Sequence, residues 1–394
     1  MFKNIAKILS SHIIVKSLGL VNVGIVLIFI SVTDFGDYSY LILLLHMVAV
    51  IIDPFLSSYL VDFKTFNYKK YNFGILFLSI ILSPVFYFSI KQLRPELTLE
   101  LFLLFSLTFI LSTGLKSFLN VKERYLQYGL VDVCRQLSVF LSTIVFFYVL
   151  ENRNYIQLLE LNYLIAFITI IMLFLFLIKR EEIQFDYSLP TLKKLIFESK
   201  FFILYVAIIP FISFIDSFFV EKHLSKEDLG LYSFSLKIYN VSLMLVVPIF
   251  TVLNIKQIEV AKEKNYYSFF KKNIKKTIFF ATVLLGISII ANWIITAYLF
   301  TNYKESFIDT IILLFAAYIS YISMPFSFLL AYRKYKWLLT LAVIAILINV
   351  FVNYFFIAKY GTIIAAISTF LAQTIINLGA AVLSYYLIDD EKEK

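Results

Sequence analysis

The sequence predicts an all-α polytopic membrane protein with about 12 transmembrane helices arranged as two six-helix bundles. Three observations carry that prediction. The 394 residues are 61% hydrophobic and only 15% charged, with a mean hydropathy of +0.88, whereas a soluble domain carries about 25% charged residues. Apolar runs long enough, or nearly so, to cross a hydrocarbon core of roughly 20 helical residues recur from end to end. Finally, a polar phrase is written twice: "TDFGDYSY" at 33–40 and "EDLGLYSF" at 227–234. Asp34, Gly36, Tyr38 and Ser39 match Asp228, Gly230, Tyr232 and Ser233 at an offset of 194.

Taken in order, the apolar runs of the first half occupy 11–32, 38–61, 73–90, 97–115, 127–149 and 158–178. Those of the second half occupy 199–220, 231–254, 277–299, 308–331, 336–357 and 361–388. "ILFLSIILSPVFYFSI" and "LNYLIAFITIIMLFLFLI" are typical. The first run has no small-residue cleavage site and is followed by many more, so it reads as a retained helix. Between the halves stands "KREEIQFDYSLPTLKKLIFESK", 179–200, which reads as the joining segment of bundles 1–194 and 195–394.

The net charge of +9 raises the question of nucleic acid, and its placement answers no. The 35 Lys and Arg gather in alternate connections, notably 179–200, 255–276 and 333–336. That asymmetry places both termini on the cytoplasmic side. The basic stretch 255–276, with apolar residues interleaved, suits the anionic lipid head groups of the inner leaflet. A single cysteine, Cys134, allows neither an internal disulfide nor a cysteine metal site. Neither cofactor nor metal is expected.

The offset of 194 extends beyond the opening match: Ser31 falls on Ser225, Pro54 on Pro248, and Asn22 on Asp216. An even number of spans per half returns the second half to the same orientation, which predicts two bundles related by an axis along the membrane normal. Gly36 and Gly230 are expected to break the chain with positive φ between spans, Asp34 and Asp228 to cap the next helix, and the tyrosines to sit at interfacial depth. Pro54 and Pro248 each remove a backbone hydrogen bond and are expected to bend their helices. These four glycines and prolines are the hinge candidates.

Ionisable groups inside spans are costly and default to functional candidates. Lys16, Arg135 and Lys237 lie within spans and, with Asn22, are candidates for contacting cargo. Snorkelling to the interface is the plain alternative for Lys16 and Lys237. Asp132, three residues before Arg135, shares its helix face, so a self-satisfied pair competes with an anion ligand there. Asp216 and Lys237 fall on consecutive antiparallel helices at similar depth and are expected to pair. His46 and Asp53, seven residues apart on one face, are candidates, with Asp216, for binding a coupling proton or sodium ion. Gly361, Ala365, Ala366, Thr369 and Ala372 recur at a spacing that suits close helix contact.

The run "FIDSFFVEKHLSKEDLGLYSFSLKIYN", with "DFGDYSY" and "KYGTIIAAISTFLAQTI", resembles the polysaccharide repeat-unit flippases (Wzx type) of the multidrug/oligosaccharidyl-lipid/polysaccharide exporter superfamily. The resemblance covers essentially the whole chain in span count and two-half layout. It implies an inverted-V pair of six-helix lobes and alternating access in a bacterial inner membrane. The implied cargo is an undecaprenyl-diphosphate-linked oligosaccharide, held in a cation-lined cavity and moved at the expense of an H+ or Na+ gradient. A polysaccharide polymerase and a chain-length regulator are the implied protein partners. A drug or organic-cation antiporter of the same fold remains an alternative. So does a membrane polymerase acting on lipid-linked glycans, although the outer loops are short and no nucleophile–base constellation stands out.

Overall fold

Inside hydrocarbon a segment must satisfy its own backbone polar groups, and a helix does so without a partner strand. The computed structural model follows that rule. It describes residues 2–61, 71–72, 84, 86–122, 124–179, 183–184, 200–202, 204–244, 257, 260 and 266–389. The helices are α1 (Phe2–Phe29), α2 (Val32–Val61), α3 (Leu99–Val121), α4 (Tyr125–Ile144), α5 (Tyr155–Leu177), α6 (Phe211–His223) and α7 (Lys226–Met244). They continue with α8 (Tyr266–Ile294), α9 (Phe307–Ser323), α10 (Tyr335–Tyr360), α11 (Thr362–Gln373) and α12 (Gly379–Asp389). Two-residue strands, β1 (Tyr71–Asn72) and β2 (Ile183–Gln184), pair in parallel. Short π-helical turns, Val145–Val149, Ile295–Leu299 and Thr374–Leu378, extend α4, α8 and α11.

Among the described residues eight helices are long and apolar enough to cross a membrane, from Leu99–Leu119 to Thr362–Tyr386, and Ile13–Phe29 is a shorter apolar one. The chain is thus a multi-pass, all-α membrane protein. Each of these helices overlaps a predicted run. Most of the run at 73–90 and the end of that at 231–254 lie outside the described residues, as do Pro248 and most of 179–200. The basic stretch 255–276 enters α8 at Tyr266.

The chain divides into two units: Met1–Ser31 with Tyr38–Ile203, and Val32–Asp37 with Leu204–Lys394. In the first, hydroxyl and amide groups tie neighbouring helices. Ser142 and Thr143 of α4 donate to Oδ1 of Asn162 on α5 at 2.6 and 3.3 Å, and Thr98 donates to Glu160 at 2.8 Å. Asn154 caps α5, accepting from the amides of Ile156 and Gln157. In the second unit Thr310 donates to Ser235 at 3.0 Å, Asn377 donates to Ser320 at 3.0 Å, and the hydroxyls of Ser242 and Tyr321 meet at 2.6 Å. In hydrocarbon such ties between helices are worth about 0.6 kcal/mol each on average.

The repeated phrase has a different role from the one its glycines suggest. Gly36 and Gly230 are both helical, and among the described glycines only Gly361 has positive φ (+74). What the two glycines supply is close approach. A Cβ on Gly36 would stand 2.7 Å from the backbone nitrogen of Gly230, and one on Gly230 would overlap the Val32 carbonyl. Lys226 adds an ion pair to Asp37 at 2.8 Å. The repeated Asp is a helix-capping residue, as expected: the Ser225 amide and hydroxyl donate to Asp228, whose own amide donates to the Ser225 hydroxyl. This is the reciprocal box that closes a helix start, and Ser31 and Asp34 stand at the same spacing. The tyrosines are buried rather than interfacial, Tyr38 at 5% exposure and Tyr232 at 0%. Helix α2 runs on through Pro54 to Val61, so the proline does not end it. Gly361 serves as the turn between α10 and α11 instead of a packing position.

Candidate functional site

Asp216 sits in the middle of α6, in the apolar stretch "FISFIDSFFV", with no exposure at all. A carboxylate so placed needs hydrogen-bond partners, since removing it from water without them is very costly. Three other helices supply them. Asn349 and Asn353 are four apart on α10 and therefore share a face. Their side-chain amides donate to Oδ1 at 2.8 and 2.7 Å. Ser368 of α11 donates to Oδ1 at 2.7 Å, and its neighbour Thr369 donates to Oδ2. Tyr232 of α7, the tyrosine of the repeated phrase, donates to Oδ2 at 3.1 Å. All five partners are fully buried.

Every one of these donors is neutral. Five converge on a group with about four lone-pair sites, so the cage is saturated with donors on the carboxylate side. On the amide side it has a spare acceptor: Oδ1 of Asn353 is buried and has no partner among the described residues. Hydroxyls rotate freely between donating and accepting. The same set can therefore offer a ring of hard oxygens, the ligand type that suits hard cations, or leave Asp216 to take up a proton.

Lys237 is not among the contacts of Asp216, and the expected ion pair between them is absent. The reason is helical phase. Tyr232 faces the carboxylate, and five residues further on α7 the chain has turned about 140° away from that face. Lys237 is half-buried and makes no ion pair or hydrogen bond among the described residues.

The first unit holds a second constellation. Lys116 of α3 reaches Oδ2 of Asp132 on α4 at 2.6 Å. Arg135, one turn further along α4, stands 3.8 Å from Oδ1, beyond hydrogen-bond length. The expected Asp132–Arg135 proximity is present, yet the tighter partner of Asp132 is Lys116. Lys16 of α1 lies within the electrostatic reach of Asp132, Arg135 and Lys116. Two basic groups thus stand within 4 Å of one carboxylate, and a third shares its electrostatic neighbourhood. The ring of Tyr128 lies 4.9 Å from the Lys116 ammonium.

The remaining candidates are Asn22, His46 and Asp53. Asn22 is buried on α1, its Oδ1 without a partner among the described residues, and six residues from Lys16 it sits on a different face of the helix. His46 is exposed, donates from Nδ1 to the Ile42 carbonyl at 2.8 Å and packs against Phe105. The backbone at Asp53 is helical, and its side chain lies outside the described residues.

Sequence reading missed Lys116, Asn349, Asn353 and Ser368, and it read Thr369 as packing only. Two signals were available. The asparagines recur at i,i+4 inside an otherwise apolar run, and Lys116 ends the 97–115 run while helix α3 continues to Val121.

No known protein-family profile matches the chain, and no curated protein matches it. Solved structures do. An inward-facing multidrug resistance MATE family transporter of the MOP superfamily has a TM-score of 0.75 at 12% identity, covering 99% of both chains. An outward-facing conformation of such a transporter gives 0.67 at 14% identity, over 100% of this chain and 97% of that one. A MOP superfamily transporter from Pyrococcus furiosus, described by a reverse polarity of its binding pocket that suggests a different function, gives 0.66 at 12% identity over 100% and 97%. The chain has the fold of the MATE transporters.

Proposed function

We propose that this protein is a flippase that carries an anionic lipid-linked glycan, an undecaprenyl-diphosphate-linked oligosaccharide repeat unit, from the cytoplasmic to the outer leaflet by alternating access. The observation that carries the reading is the charge of the first unit's cluster, where Lys116 and Arg135 stand within 4 Å of a single Asp132 and Lys16 shares their electrostatic neighbourhood. An excess of cations at membrane depth is costly on its own and suits an anionic head group. Lys16 stands near the start of the apolar part of α1, Lys116 near the end of α3, and Asp132 in the third turn of α4. With the amino terminus cytoplasmic, that is the end from which a cytoplasmic-leaflet lipid would load.

Coupling is assigned to Asp216. Its cage is closed to solvent and built of small neutral groups, so it suits a proton or a sodium ion and has no room for an organic cation. The drug-antiporter reading draws support from the multidrug transporters that share the fold. Against it, Asp132 is held by Lys116 and Asp216 is sealed, so neither of these described acids is open to a drug-sized cation.

A deletion strain tests the reading through surface polysaccharide and the sidedness of lipid-linked repeat units. Loss of polymer with intact units stranded on the cytoplasmic leaflet is the expected result. Units that reach the outer leaflet unpolymerised would point to a polymerase. Normal polysaccharide with new sensitivity to cationic drugs would favour the antiporter.

A further inference from the structure

We propose that Asp132 is an internal stand-in for the phosphoryl group of the cargo: it occupies a seat among Lys116, Arg135 and Lys16 that a diphosphate takes over during loading. The consequence for transport rests on the anionic-cargo reading above, while the binding itself rests on geometry alone.

A structural ion pair needs one cation, and here three are gathered. Asp132 satisfies one of them. Its Oδ2 holds Lys116 at 2.6 Å, whereas its Oδ1 is 3.8 Å from Arg135. The guanidinium of Arg135 makes no hydrogen bond among the described residues, and its Nε is buried without a partner. Lys16 makes no ion pair among the described residues, although it sits in the field of the other three groups. Lys116 and Arg135 thus outnumber the one carboxylate between them, with Lys16 in the same neighbourhood and the planar fork of Arg135 not hydrogen-bonded among the described residues. Like charges held together in a low-dielectric setting repel, and an anion of matching charge relieves that repulsion.

The donor set indicates which anion. Arg offers two parallel N–H groups that match the spacing of phosphate oxygens, and Lys contributes compact point charges. A diphosphate carries enough charge and enough oxygens to engage all three. Asp132 is then in the way, and its repulsion by the incoming anion releases Lys116 to turn to the ligand. The Tyr128 ring at 4.9 Å keeps that ammonium in place while the carboxylate lets go. When the cargo leaves, Asp132 takes Lys116 back, which prevents the empty site from closing on a bare cation excess.

The test uses the full chain in phosphatidylcholine nanodiscs, with two probes: inorganic pyrophosphate in solution, and undecaprenyl diphosphate incorporated in the disc. Asp132→Asn removes the internal competitor while keeping its shape, so binding is expected to tighten about tenfold. Lys116→Met should weaken it about tenfold, and Lys116→Arg should restore most of the loss. Tightening seen with both probes, or with the lipid alone, supports the proposal and separates free phosphate from a lipid head group as the source. A folded Asp132→Asn protein that binds neither probe more tightly than wild type overturns it, as does a Lys116→Met protein that loses nothing. If Asp132→Asn does not fold, pyrophosphate-induced thermal stabilisation decides: present in wild type and lost in Lys116→Met supports the proposal, and its absence from wild type overturns it. Failure of the flippase reading is separate, because a strain lacking this protein that still delivers repeat units outward leaves these binding ratios untouched.

Discussion

At the scale of single residues, Asp216 is the position where charge, burial and hydrogen bonding are most tightly bound together. Its carboxylate is held by five neutral donors from three other helices. A hydrogen bond to a charged group contributes about 1.5–3 kcal/mol, so Thr369→Val, which keeps the shape and removes the hydroxyl, should lower stability by about that amount. Thermal unfolding in detergent measures it, and an unchanged midpoint would mean that the hydroxyl does not serve the carboxylate. The ion is tested at the same residue. Anything that binds only the folded state raises its stability, by about 2.7 kcal/mol at one hundred times the dissociation constant. If the cage takes sodium, the wild type melts higher in sodium than in choline, and Asp216→Asn loses that difference. If wild type shows no difference, the coupling ion is a proton or binds elsewhere. Asp216 itself was legible as an acid in an apolar run. Its partners were not, because the sequence of α10 shows that Asn349 and Asn353 share a face without showing what the face meets.

At the scale of helices, the phrase written twice belongs to two helix starts. In the second copy Asp228 closes a capping box, and Gly36 and Gly230 let the first turns of α7 lie against Val32–Asp37 without a side chain between them. The two functions explain why the same residues recur at the same spacing, and they replace the turn expected from glycine's freedom at positive φ. Gly230→Ala should therefore destabilise by about 1–3 kcal/mol, since its Cβ meets backbone that cannot move aside easily. Gly24→Ala and Gly286→Ala are the controls. A Cβ at either meets nothing within 4 Å, and in mid-helix alanine is favoured over glycine by about 0.5–1 kcal/mol. Melting temperatures of the three variants side by side check the argument, and equal shifts in all three would refute it. Gly361 is the one described glycine where backbone conformation decides, at the joint of α10 and α11.

At the scale of the molecule, the two units divide the chemistry. The first holds the cation-rich cluster and the second the sealed carboxylate cage, although the offset of 194 sets Asn22 against Asp216. If the proposed anionic cargo and coupling ion engage separate units, the two can be uncoupled. In inverted membrane vesicles, collapsing the responsible gradient with an ionophore specific for sodium or for protons should stop accumulation of flipped repeat units, while the other ionophore should not. Indifference to both would remove Asp216 from any coupling role. The sequence by itself determined that the chain crosses a membrane many times as helices, and it pointed to Asp132, Arg135 and Asp216 as charges embedded in apolar runs. Composition, run length and spacing are local properties, and hydrocarbon leaves the backbone little choice but helix. Only the tertiary structure decided which charges meet: that Lys116, not Arg135, holds Asp132, that Lys237 leaves Asp216 alone, and that asparagines and hydroxyls distant in sequence surround it. The azimuth of one helix against another is set by packing across the whole unit, and no stretch of sequence short enough to read as a motif contains it.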